Sequence, residues 1–197
     1  MDRQDEIMAI GKELLEERFL KDVERITEEI KKNSFFKELI AAFDAVFQKV
    51  LVLQEDGEKE DIAYVVISYL RSSIITGSYD FLIHLYDESF YFDPKETSGT
   101  WSAKYIMDYY ENQLDYVERQ IGKRMIRLQK SELNDLKMSL AGDYFKIILG
   151  IFMEHIQDIV GLESFEKMYK LENVKIVYGG FYDTCVTLYD AAEEVII

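Results

Sequence analysis

Residues 79–92 read YDFLIHLYDESFYF. They hold six aromatics, three acids and one of the chain's two histidines. Tyr79, Phe81, Ile83 and Leu85 alternate with Asp80, Leu82, His84 and Tyr86, and a repeat of two marks a strand with unlike faces. Asp87-Glu88-Ser89 supplies a turn, and Phe90-Tyr91-Phe92 returns as a short second strand before Asp93-Pro94. Residues 79–93 are therefore predicted as a β-hairpin. The alternation decides the fold class because most of the chain counts in threes and fours instead.

Ile7, Ile10, Leu14, Phe19, Val23, Ile26 and Ile30 keep near one face of a helix over 3–32, although the step from Leu14 to Phe19 breaks a regular coiled-coil repeat. Asn33 or Ser34 is placed to cap a second helix, 35–53, with a broad apolar stripe from Phe35 to Leu51. Residues 59–76 are apolar nearly all round, which predicts a central buried helix ended by Gly77. KETSGT, 95–100, reads as a loop with Thr100 as a cap. Further helices are expected over 101–129, 132–160 and 163–170, with Gly161 closing the second of these. The run VKIVYGGFYDTCVTLYD again reads as strand, and Gly179-Gly180 suits a two-residue turn, so a second hairpin is predicted over 174–189. The expected class is α+β, predominantly α: about five helices packed as a single bundle-like domain, 1–197, with one or two short hairpins.

Composition bounds the function. The chain has 197 residues, 48% of them hydrophobic, with one proline and one cysteine. A lone cysteine makes no internal disulfide, so the expected setting is a reducing cytoplasm. No basic-then-apolar leader opens the sequence, and no run reaches the ~18 apolar residues of a membrane span. The net charge is −15. Nucleic acid and anionic lipid are therefore disfavoured partners. Residues 54–96 carry ten acids against three Lys and Arg, whereas 104–137 carry six acids against seven.

No residue set composes a catalytic, metal or phosphate-binding signature. His84 is one fallback base, but on a strand Asp80 lies about 13 Å away along the chain. His155 is the other, with Asp158 three positions on, within reach on a helix. His84 is more simply read as a surface or half-buried histidine beside aromatics, and His155 as a core histidine satisfied by its neighbour. Cys185 lacks an activating neighbour nearby in sequence. No metal or cofactor is expected. Arg119, Lys123, Arg127 and Lys130 step along one helical stripe with Arg124 beside it, an anion-binding candidate, or else a solvated face paired with the acidic first helix.

Nine of the fourteen tyrosines fall between Tyr64 and Tyr116. Tyrosine combines contact area with a polar tip and is favoured at binding surfaces. The favoured function is therefore non-catalytic binding. Asp80, Tyr86, Asp87, Glu88, Tyr91 and Asp93 are expected to form an acidic, tyrosine-rich face for a basic protein partner. The alternative is a small-molecule binder or enzyme with an aromatic pocket using His84 or His155. A third reading is a homodimer through 3–32 with a structural role.

Overall fold

The computed structural model describes residues 2–30 and 35–193. The expected caps Asn33 and Ser34 lie outside the described residues. In chain order the elements are α1 (Arg3–Ile30), α2 (Phe35–Glu55), β1 (Ile62–Tyr69), α3 (Arg71–Thr76), β2 (Asp80–Tyr86), a 3-10 turn (Phe90–Phe92) and β3 (Thr97–Ser102). Then come α4 (Lys104–Arg124), a second 3-10 turn (Lys130–Leu133), α5 (Asn134–Val160), α6 (Glu163–Lys167), β4 (Lys170–Gly180) and β5 (Cys185–Asp190). The fold is α+β and mostly helical. No helix among the described residues is long and apolar enough to cross a membrane.

The chain divides into two compact units, 1–33 with 103–148 and 34–102 with 149–197. The first is helical. Ile7, Gly11, Leu15 and Ile26 of α1 are buried, as are Tyr110, Val117 and Ile121 of α4. One acid, Asp22, sits on the same seam. Its carboxylate accepts from the Gln113 amide and, at 2.9 Å, from the Tyr144 hydroxyl, while Arg18 donates to the other end of Gln113 at 2.8 Å. A buried carboxylate is tolerated when such donors replace water. Tyr109 donates to Glu29 at 2.8 Å, and Arg18 lies over the Tyr116 ring. The tyrosines of α4 therefore serve this helical unit.

The second unit is built on a five-stranded sheet in the order β3-β2-β1-β4-β5. β1 and β4 pair in parallel; the other neighbours are antiparallel. One face packs against helices. Phe152 of α5 sits among Phe43 of α2, Phe81 of β2, Trp101 of β3 and Tyr178 of β4, with ring centroids 5.5–6.3 Å apart. Edge-to-face and tilted rings at that spacing add to the area they bury. α2 approaches β3 so closely that a Cβ on Gly99 would stand 2.1 Å from Val46.

Four expectations are corrected here. Residues 59–76 are not one helix. IAYVVISY forms β1, and its apolarity on all sides reflects a central strand buried on both faces. The six-residue α3 follows, and Gly77 ends it in the left-handed region, φ 70°. Residues 79–93 are not a hairpin. β2 pairs with β1 and β3, and Phe90–Phe92 is a 3-10 turn, because Asp87 Oδ1 accepts from the Ser89 N–H at 2.7 Å and bends the chain. TSGTWS is strand β3 rather than loop, so Thr100 caps nothing and α4 starts after Ala103. The β4–β5 hairpin is present, but Gly179 and Gly180 belong to β4 and the turn falls at 181–184. The helices consequently do not form one bundle: α2 and the end of α5 serve the sheet.

Candidate functional site

The face of the sheet opposite α2 carries Tyr64, Val66 and Ser68 of β1, His84 and Tyr86 of β2, and Val177 of β4, placed by the strand registers. Two segments lie over it. One is the 3-10 turn after β2 and the other is the β4–β5 turn, whose Phe181 N–H donates to Tyr69 O at 3.0 Å. Their aromatics meet. Phe90 stands edge-on to Tyr64 (4.8 Å, 77°) and to Tyr91 (4.2 Å, 64°), and Tyr182 stacks on Tyr91 (4.4 Å, 23°). Together with Val177, Cys185 and Asp183 these four rings line an open recess of about 370 Å³.

The recess is held under strain. Phe90 and Tyr182 both have left-handed backbones, φ 54° and 57°. Bulky residues rarely adopt that region, and outliers of this kind collect at functional sites.

The loop 87–96 is anchored from inside. Lys59 Nζ donates to Leu85 O (3.0 Å), to Lys95 O (2.9 Å) and to the Asp93 carboxylate. Asp93 also accepts the backbone N–H of Asp87 (2.9 Å) and of Lys95 (2.8 Å). The residues of the expected acidic face lie at different depths. Tyr86, Asp87 and Asp93 are buried, Asp80 and Tyr91 are half-buried, and Glu88 is exposed. Two of the four acids thus tie the loop down instead of meeting solvent.

His84 is 4% exposed, stacked on Tyr86 and tilted against Phe181. Its partner is not Asp80 but Glu96. Nδ1 lies 2.7 Å from Oε1 of Glu96, at ion-pair distance but off the direction of a hydrogen bond, and Nε2 has no partner. Ser68 Oγ, on the same face, is also buried without a hydrogen-bond partner, and Ser98 is the residue of β3 paired with His84. Burial pushes the His84 pKa below its ordinary value, with Glu96 opposing. A depressed histidine costs stability as pH falls: the unfolded chain takes up a proton near 6.5 that the folded protein resists. Urea stability should therefore drop from pH 7.5 toward 5.5, by at most about 1.4 kcal/mol per pH unit from this group. His84→Gln should flatten that slope. An unchanged slope would show that His84 titrates as in solution.

The remaining candidates are separate. His155 Nδ1 meets Asp158 Oδ2 at 3.0 Å, and the ring lies 4.1 Å from that of Phe36. α4 ends at Arg124, so the expected continuous stripe is broken. Arg119, Lys123, Arg124 and Arg127 are exposed, Arg124 is 3.7 Å from Glu13 of α1, and Arg127 has left the helix; the side chain of Lys130 lies outside the described residues. Burial, then Asp183, raise the Cys185 thiol, which removes it as an activated nucleophile. No three His, Cys, Asp or Glu side chains among the described residues gather as a metal site. Sequence reasoning singled out Tyr91 and its stretch but missed Tyr64 and Tyr182 as its partners, because strand pairing alone joins them. No family model, curated protein or solved structure matches this chain.

Proposed function

We propose that this chain is a non-catalytic binding protein whose small ligand occupies the aromatic recess over β1 and β4. The carrying observation is the recess itself: four rings from three separate stretches, two of them on strained backbone, around a volume within the range of ligand sites. A thiol raised by burial and a buried imidazole whose nitrogens make no hydrogen bond support binding over catalysis. The burial of Asp87 and Asp93 weighs against the acidic face for a basic protein partner. A cytoplasmic setting without nucleic-acid partners belongs to the same proposal and rests on the net charge of −15 and the single cysteine.

The test uses small probes of three charges: indole, tetramethylammonium and benzoate. At least one should shift the amide resonances of Tyr64, Tyr91, Val177 and Tyr182 and slow alkylation of Cys185 by iodoacetamide. Fragment affinity is expected, with a Kd on the order of 1 mM, about −4 kcal/mol. Tyr182→Ala should weaken it. If no probe moves those resonances or protects the thiol, the recess is not a binding site.

A further inference from the structure

Among the described residues, the one charged residue lining the recess is Asp183, and no lysine or arginine lines it. Two cations stand near. Lys175, paired with Tyr64 in the β1–β4 register, is taken up by Asp190 at 2.6 Å. Arg71 reaches Asp183 at 2.7 Å, but its side chain is 74% exposed and such a pair is weak. The rings that line it lie in several planes: Tyr64 and Phe90 cross at 77°, Phe90 and Tyr91 at 64°, and Tyr182 stacks on Tyr91. Aromatic faces carry partial negative charge and hold a cation that is too weakly hydrated to prefer water. The acidity of the molecule favours the same sign of guest.

We propose that the ligand of the recess is a small organic cation bearing a quaternary or methylated ammonium group. The group sits against Tyr64, Phe90, Tyr91 and Tyr182, and Asp183 balances its charge from the rim. This rests on the recess being a ligand site, and the experiment separates the two claims. A primary ammonium has three N–H donors to satisfy, and those turned toward the ring faces and not toward Asp183 or a tyrosine hydroxyl would lose the acceptors that water gives them. A quaternary ammonium has no N–H groups to satisfy and presents methyl groups to the aromatic walls.

Choline and 3,3-dimethylbutan-1-ol share a shape and differ in the charge. Titrations of the full chain, followed by the resonances of Val177 and Tyr182, should show choline binding at least about tenfold more tightly. The preference should survive roughly 1 M salt, where fields reach only about 3 Å. Tyr182→Leu should lower choline affinity roughly threefold to tenfold and leave the alcohol nearly unchanged, which also reports that the variant is folded. Arg71→Gln, by releasing Asp183, should tighten choline and leave the alcohol alone. Equal binding of the two probes overturns the cation assignment and keeps the recess. Failure of both to bind overturns the recess as well. A preference that vanishes in high salt assigns the effect to net charge, and that too overturns the proposal.

Discussion

Asp93→Ala is expected to lower the free energy of unfolding by about 3–5 kcal/mol, the cost of leaving a buried charge without its partner. The Lys59 and Asp93 side chains are 0% and 1% exposed. With the carboxylate gone, the ammonium keeps only two carbonyl acceptors, and the N–H groups of Asp87 and Lys95 lose theirs. Lys59→Met/Asp93→Leu should cost much less than the two single changes together, because a pair of apolar side chains leaves no orphaned charge. The pH dependence carries a sign. Burial pushes the Asp93 carboxyl up, but the Lys59 ammonium and the two backbone donors outweigh it and hold it below its ordinary value of 3.8. The stabilisation is therefore present above the unfolded value and is lost as pH falls through the folded one. The gap between wild type and Asp93→Ala in urea titrations should be full at pH 7 and close in strong acid. A loss under about 1 kcal/mol at pH 7 would mean that the pair behaves like an exposed one.

Phe152→Ala is expected to cost a comparable amount, about 3–5 kcal/mol. The ring is 1% exposed and touches aromatic side chains from α2, β2, β3 and β4, so its removal opens a cavity that no single neighbour fills. Phe92→Ala is the matched control. Phe92 is 89% exposed, and its truncation should change stability by no more than about 0.5 kcal/mol. Equal losses for the two variants in urea melts would contradict the packing described for the helix-covered face.

The helices were largely legible, because α1, α2 and α5 repeat their apolar residues at helical spacing. β2 was legible from its alternation, and the β4–β5 hairpin from two apolar runs around a glycine pair. β1 was not. A strand buried on both faces has no polar side to alternate with, and over eight residues it cannot be told from a buried helix by period. β3 was hidden by its composition: TSGTWS is mostly polar, and the reason for Gly99 is Val46, over fifty positions away. The site was less legible than the fold. Lys59 with Asp93, and His84 with Glu96, are pairings made by strand register and loop path. Asp22 was invisible for a related reason, since an acid on an apolar seam has meaning only once Gln113 and Tyr144 are in place. The aromatic stretch contributes Phe90 and Tyr91 to the lining of the recess, through its rings rather than its acids.

The parallel pairing of β1 with β4 bears on how the protein is made. About a hundred residues separate the end of β1 from the start of β4. At ribosomal speeds of roughly 5–20 residues per second, that delay is about 5–20 s. Through it, β1 can pair with β2 on one side only. Its other edge, IAYVVISY, is uncharged, free of proline and glycine, and rich in β-branched and aromatic residues. Such a segment, left with open backbone groups, is a template for joining another nascent chain. The strand that ends at the centre of the sheet is thus the one left waiting longest for a neighbour while the chain is made.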